Sequence, residues 1–361
     1  MKILVISNYN DYHTVRPRAE IFISLAQRGY DITIMTKKEF AYSKRFEANG
    51  IKVIDFLPVS KLDKTEIAFI RNELINGQYD VMHLFNNLAM MNGLKAAKGL
   101  PVKVVLYRGY SANVNWYDPT LYYKLLSPRA DYIICNSKGV AQIMQEKGKV
   151  KPSKLITINK GHELEWYSDV IEHDIRQELG LPADSLLVVL VANNRRMKGT
   201  RYFMEAVKYL DPNMNMHIVL LGRDLDNKEN QRILGDHPFK PHIHFLGFRQ
   251  DALNIVKGCD IFLLTSIKGE SITKSVIEAM SLGVAPVISD IIGNLELVEN
   301  DKSGLVVRSK DSRGFADALK KLYGDRELLQ KLKTNAPKHI EQHLNHKKTV
   351  DQYEAFYKSI A

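Results

Sequence analysis

Two glutamates, Glu270 and Glu278, stand with seven residues between them in the segment DIFLLTSIKGESITKSVIEAMSLGVAPVISDIIGNLELVENDKSG, residues 260–304. The segment reads as a buried strand (Ile261–Thr265), a polar loop and a helix that begins near Thr273. That helix turns Ile277, Met280 and Leu282 inward and stops at Gly283. The start of a helix offers free backbone N–H groups and a positive dipole end, which suit a phosphate. Ser271 and Thr273 add hydroxyl donors there, and Lys274 adds a cation. At about 1.5 Å per residue, Glu278 falls roughly 7 Å along the axis from Thr273. Each carboxylate can accept hydrogen bonds from two neighbouring hydroxyls, so each suits a diol. A ligand laid out as sugar, diphosphate, ribose and base presents its groups in that order. Spacing alone favours surface or capping glutamates, since Glu is common near helix N-termini.

A second cluster follows the apolar run Leu186–Val191, where ANNRRMKGTRYFMEAV sets Arg195, Arg196 and Lys198 in a loop before an amphipathic helix. Cations there stabilise charge that develops on a departing diphosphate. A solvated basic turn is the other reading of the same residues.

These residues need a framework, and the chain supplies one by alternation. Strand candidates in the first half are Lys2–Ser7, Asp31–Thr36, Lys52–Phe56, Val81–Phe85, Val102–Tyr107, Tyr132–Asn136 and Leu155–Ile158. Amphipathic stretches such as Ala19–Gln27, Lys64–Ile75 and Ser137–Lys147 lie between them. The pattern pauses over the polar residues 161–184. It resumes with Leu186–Val191, His217–Leu221, Ile243–Leu246, Asp260–Thr265, Ala285–Ser289 and Leu305–Val307. Alternation of this kind predicts two parallel α/β units, each with its sheet covered on both faces. Ligands of parallel sheets collect at the carboxyl ends of the strands, so a cleft between two such units binds two substrates. From Asp325 onward the chain reads as helix, with Tyr353, Phe356 and Tyr357 in its last segment.

The 260–304 segment resembles the signature of retaining glycosyltransferase family four, with Glu270, Glu278, Ala279, Met280, Gly283, Pro286, Val287, Gly293, Glu296 and Gly304 in matching places. The resemblance implies a GT-B fold, two Rossmann-like domains facing a cleft with a C-terminal helix crossing back to the first. The expected division is an acceptor domain, residues 1–165 with 343–361, and a donor domain, residues 166–342. By resemblance Glu270 contacts the donor hexose, Glu278 the ribose hydroxyls, and the backbone at Ser271, Ile272 and Thr273 the phosphates. Ser271 departs from the family's usual Gly. Lys198-Gly199 matches the family's Lys-Gly, while Asn193 stands where its Arg usually sits, which leaves that role to Arg195 or Arg196, with Arg195 preferred. HIVLLGRD places Gly222 and Arg223 near the diphosphate, and IHFLGFRQDALNIVKGCD places Phe248 and Arg249 near the base. YDVMHLFN resembles the family's Asp-x-x-His strand, with His83 as a structural residue. TVRPRAEIFISLAQRGYDI resembles a subgroup with Pro-Arg before the first helix, and its Arg16 and Arg18 meet an anionic acceptor or the phosphates, or lie on a solvated helix start. Arg108-Gly109 replaces the usual His-Gly.

The resemblance implies transfer of a hexose-type sugar, with retention, from a UDP- or GDP-linked donor to an acceptor hydroxyl in cell-surface polysaccharide, lipopolysaccharide or glycolipid synthesis. It also implies no cofactor and no metal. A nucleotide-sugar epimerase of the same architecture and a non-catalytic nucleotide-binding protein are the alternatives. The expected partners are the nucleotide sugar and a carbohydrate or lipid-linked acceptor.

Composition sets the remaining bounds. Of the net charge of +10, the first 170 residues carry 24 Lys/Arg against 16 Asp/Glu. A basic first half suggests an anionic partner such as a membrane surface, while the lack of any recognition-helix, zinc or RNA-binding pattern argues against nucleic acid. No apolar run reaches the roughly 20 residues of a membrane span, and Cys135 and Cys259 read as reduced core thiols. Both features point to a cytoplasmic location, peripheral on the inner membrane face at most. The aromatic segment GYSANVNWYDPTLYYKLL reads first as a core helix, with acceptor-sugar packing or a lipid interface as its other uses.

Overall fold

The apolar runs form two all-parallel sheets in this computed structural model, which describes residues 1–360. The first sheet holds β1 (Lys2–Ile6), β2 (Asp31–Thr36), β3 (Lys52–Asp55), β4 (Val81–Leu84), β5 (Lys103–Arg108), β6 (Tyr132–Cys135) and β7 (Leu155–Thr157). Their order is β3-β2-β1-β4-β5-β6-β7, so β1 sits where the strand order reverses. The second sheet holds β8 (Leu186–Val191), β9 (Met216–Leu221), β10 (Ile243–Gly247), β11 (Ile261–Leu264), β12 (Ala285–Ser289) and β13 (Leu305–Val307). Its order is β10-β9-β8-β11-β12-β13, and β8 occupies the reversal.

Continuous apolar strands arise because both faces of each sheet are covered. In β1, Ile3 and Val5 face one cluster and Leu4 and Ile6 the other. In β8, Leu186, Val188 and Leu190 face one cluster while Leu187 and Val189 face the opposite one. Fully burying one such side chain stabilises by roughly 1.5–3 kcal/mol, so the central strands hold their loops firmly. Packing divides the chain at Gly161/His162 and Asn345/His346, a few residues from the expected junctions. The last helix, His346–Ser359, follows the second unit in sequence but packs in the first, where Val350, Tyr353, Phe356 and Tyr357 are buried. No helix among the described residues is long and apolar enough to cross a membrane.

Two expectations change. The first helix does not wait for Ala19: it spans Tyr12–Gln27 and contains Pro17. Asp11 caps it by accepting from the Thr14 N–H at 3.0 Å, and burial of Val15 and Pro17 extends it past the proline that suggested a boundary. Arg16 and Arg18 therefore lie within the helix, not ahead of it.

The aromatic segment is not a core helix. It forms only a 3-10 turn, Pro119–Tyr123, with Trp116, Tyr117, Tyr122 and Tyr123 between 49% and 69% exposed. Val114, Leu121 and Leu125 supply its buried anchors instead. The three aliphatic side chains turn inward and the rings fall on the outer side.

Candidate functional site

At the carboxyl end of β8, where the strand order of the second sheet reverses, the chain enters the basic loop 192–199. Such switch points open a crevice between diverging connections, and ligands of open α/β sheets settle there. The neighbouring β11 ends in the loop 265–273. The two loops are stitched together: Thr265 Oγ1 donates to the Lys198 carbonyl at 3.0 Å, and the Ile267 N–H donates to the Met197 carbonyl at 2.8 Å. Gly199 lets them approach, since its φ is 64° and an added Cβ would lie 2.1 Å from the Thr265 carbonyl oxygen. The stitching fixes Lys198, whose Nζ meets Glu270 Oε1 at 2.5 Å with both side chains largely buried. Ser266 Oγ reaches the same oxygen at 3.4 Å.

On the β9 side lies an open cavity of about 330 Å³, lined by Asn193, Arg195, Lys198, Gly222, Phe248 and Arg249 among others. Gly222 has φ 143°, and a Cβ there would fall 1.8 Å from the Ala192 carbonyl oxygen. Only glycine permits this approach of the strand end to the basic loop. Asn193 Oδ1 accepts from the Arg223 N–H at 3.0 Å and ties the same two loops from the other direction. Phe248 is 61% exposed at the cavity, with the Arg223 guanidinium 5.1 Å from its ring centre. Arg249 also lines the cavity, but its guanidinium is held by Asp251 at 2.7 Å and Glu178 at 2.8 Å. Hydrogen bonds from Arg249 hold the Asp251 carboxyl down to about 2.

The helix after β11 spans Lys274–Ser281 with Thr273 as its N-cap residue, close to the start its pattern predicts. Thr273 makes no side-chain cap; its hydroxyl donates to Asn294 Oδ1 at 2.7 Å, so it is not free for a ligand. Ser271, Ile272 and Thr273 are all buried. Lys274, expected as a phosphate cation, instead pairs with Glu278 one turn along. Gly293 closes the back of this loop, where a Cβ would sit 2.3 Å from the Ser271 Cα.

The first unit carries the other arginines. Arg18 lies 5.0 Å from the ring centres of both Tyr9 and Phe85, and its Nη2 donates to the Asn8 carbonyl at 2.7 Å. Its buried Nε has no hydrogen-bond partner, and the residue borders a small cavity with Tyr107 and Tyr353. Arg16 is half-buried beside it in the helix. Arg108, at the end of β5, donates to the Ala112 carbonyl and stacks 5.3 Å from Tyr110, and burial pulls its pKa down. His83 is fully buried, with Nδ1 2.7 Å from the Tyr357 hydroxyl, and burial pushes its pKa to about 3. It serves the core.

Sequence reasoning passed over Thr265, Ser266 and Asn294. Thr265 and Asn294 act through contacts with residues far away in the chain, which no local spacing marks, while Ser266 reaches Glu270 four residues on within an irregular loop that has no period to read.

Two parallel sheets, a basic loop at a switch point and a paired Lys–Glu beside an open cavity define a protein of the two-Rossmann-domain transferase class. Comparison with known proteins completes the assignment. The family model described as Glycosyltransferase Family 4 matches residues 19–166, and that described as Glycosyl transferases group 1 matches residues 172–339. The chain belongs to glycosyltransferase family four and has the GT-B fold. It is 28% identical, over 78% of its length and 75% of the relative's, to an Escherichia coli UDP-Gal:alpha-D-GlcNAc-diphosphoundecaprenol alpha-1,3-galactosyltransferase. It is 25% identical, over 88% and 89%, to the Campylobacter jejuni N,N'-diacetylbacillosaminyl-diphospho-undecaprenol alpha-1,3-N-acetylgalactosaminyltransferase. In fold it is similar to a Rickettsia africae glycosyltransferase, with TM-score 0.83 and 16% identity over 99% of this chain and 98% of that one. It is also similar to Anabaena HepE solved with UDP, with TM-score 0.81 and 20% identity over 99% and 100%.

Proposed function

We propose that this glycosyltransferase moves a hexose-type sugar, with retention and without a metal, from a UDP-linked donor to a hydroxyl of a lipid-linked glycan acceptor in bacterial cell-surface polysaccharide synthesis. The observation that carries the reading is the Lys198–Glu270 pair, 2.5 Å apart at the switch point of the second sheet beside a cavity bordered by Arg195. Lys198 and Arg195 take the charge that grows on the leaving diphosphate. Glu270 accepts hydrogen bonds from the transferred sugar, and Glu278 from the ribose diol. Gly222 and Arg223 border the diphosphate. Phe248 and the Arg249 backbone flank the base. Arg16, Arg18 and Arg108 are assigned to the acceptor side of the reaction.

UDP is favoured over GDP because the Escherichia coli relative's name specifies a UDP sugar, and the names of both relatives specify diphospho-undecaprenol acceptors. In this scheme orientation and charge stabilisation do most of the work, and the departing phosphate helps to deprotonate the acceptor.

Titration calorimetry with UDP, GDP and their sugars tests the donor, and NMR of the product tests the anomer. The expected result is UDP binding that persists in EDTA and an α-linked product from an α-linked donor. No binding by any nucleoside diphosphate at millimolar concentration sinks the donor site. Epimerisation of donor incubated alone replaces the transferase reading with an epimerase.

A further inference from the structure

Four large aromatic side chains crowd the surface of one short segment of the first unit. Trp116 is 53% exposed, Tyr117 69%, and Tyr122 and Tyr123 49% each. The segment is rigidly mounted, with Val114, Leu121 and Leu125 buried beneath it. The Trp116 N–H donates to the Lys147 carbonyl at 2.8 Å, and the Tyr122 hydroxyl donates to the Trp116 carbonyl at 2.9 Å. Gly148 packs against its underside, since a Cβ there would meet Val114 Cγ1 at 3.0 Å and Leu126 Cδ2 at 3.5 Å. That contact brings the exposed Lys147 and Lys149 to the border of the aromatic patch, and Lys124 lies within the segment itself. The neighbouring acids Asp118 and Glu146, which accept from Thr120 and Gln142, are outnumbered by the three lysines.

We propose that this patch is a membrane-docking surface, in which Trp116, Tyr117, Tyr122 and Tyr123 enter the headgroup layer of a bilayer while Lys124, Lys147 and Lys149 meet its anionic lipids. Trp and Tyr favour that layer because an apolar ring body and a polar tip are both satisfied there. Lysines beside them add attraction to a negative surface, which acts over about a Debye length. A glycan fits the geometry less well. Sugar stacking wants one flat ring face, and Trp116 and Tyr117 stand at 82° to each other with centres 6.0 Å apart. The segment is already ordered by its backbone bonds, so insertion requires little folding on contact.

The proposal deepens the lipid-linked acceptor reading by naming the face that meets the lipid. Its test uses plain vesicles with no glycan acceptor, so its failure is separable from failure of that reading, which is scored by UDP binding and by transfer to the acceptor.

The full chain is sedimented with phosphatidylcholine vesicles, with and without phosphatidylglycerol, at low and high salt. Binding to the anionic vesicles, weakened by salt, is expected. Trp116→Ser with Tyr117→Ser should lower the partition coefficient at least about tenfold. Lys147→Gln and Lys149→Gln should lower it roughly fivefold each. These side chains are exposed, and unchanged UDP binding and thermal melting check that the variants fold. In a Trp166→Phe background, Trp116 emission should shift to the blue on adding anionic vesicles. Absence of wild-type binding, or equal binding by the aromatic variant, overturns the proposal. So does a Trp116 response to soluble oligosaccharide with none to vesicles, which would make the patch a glycan platform.

Discussion

Lys198 and Glu270 pair at 2.5 Å, so a ligand group that bonds to either one competes with its partner. In the proposed scheme a diphosphate draws Lys198 away, and the carboxylate then accepts from sugar hydroxyls. The two residues therefore respond differently to substitution. Lys198→Ala removes a cation from the leaving group and is expected to cut kcat/KM by about 10²–10³, the usual loss for one donor to developing charge. Glu270→Gln releases Lys198 while removing the sugar contact. Calorimetry should find UDP binding retained or tightened in this variant, with turnover lost; loss of UDP binding in Glu270→Gln contradicts the exchange. Gly222 contributes by having no side chain. With φ at 143° and the Ala192 carbonyl 1.8 Å from any Cβ, Gly222→Ala must push the basic loop outward. The expected cost is at least about 1–3 kcal/mol of stability, with a larger proportional loss of nucleotide affinity, read by thermal melting and calorimetry.

Elements rather than single residues set the pH response. The terminal helix His346–Ser359 brings Tyr357 onto His83 of β4, and His346 itself is buried against the first unit. Burial pushes His83 to about 3 and His346 to about 4; in the second unit, burial and two neighbouring histidines push His217 of β9 to about 4. The unfolded chain binds these protons near pH 6.5 and the folded chain only near 3–4. Their contribution is thus complete above pH 6.5 and is lost as pH falls through that window. Each group adds a slope of up to about 1.4 kcal/mol per pH unit. Denaturant midpoints should fall between pH 6.5 and 4, and His83→Gln should flatten the curve; a flat wild-type curve refutes this account.

The strands of these elements were legible in the sequence because parallel strands buried on both faces read as unbroken apolar runs. The helix Lys274–Ser281 was legible from its inward Ile277 and Met280. Less accessible was whatever depended on tertiary choice. Pro17 suggests a boundary, but burial carries the helix through it, and the aromatic richness of the 109–126 segment suggests core although Val114, Leu121 and Leu125 are what it buries. The Lys198–Glu270 contact spans two loops stitched by Thr265 and Ile267, which no local period encodes. Family resemblance supplied the two residues, but the geometry supplied the pair.

At the scale of the whole molecule, sequence order and packing order part company at the C-terminus. The chain leaves the second unit at Asn345 and gives its last helix to the first, where Tyr353 and Tyr357 pack with Phe22 and His83. The cavity proposed for the donor lies wholly within the second unit, on loops after β8, β9 and β10. Removing the chain from His346 onward strips several buried aromatics from the first unit, each worth about 3–5 kcal/mol when truncated, against a total domain stability of about 5–15 kcal/mol. The first unit should then unfold while the second keeps its core. Limited proteolysis of the truncated protein is expected to digest residues 1–161 and spare 162–345, and the spared unit should still bind UDP in the calorimeter. Coincident loss of both units would show that the second depends on the first for its stability. Intact resistance of residues 1–161 would show that the terminal helix is a passive cover and not part of that core.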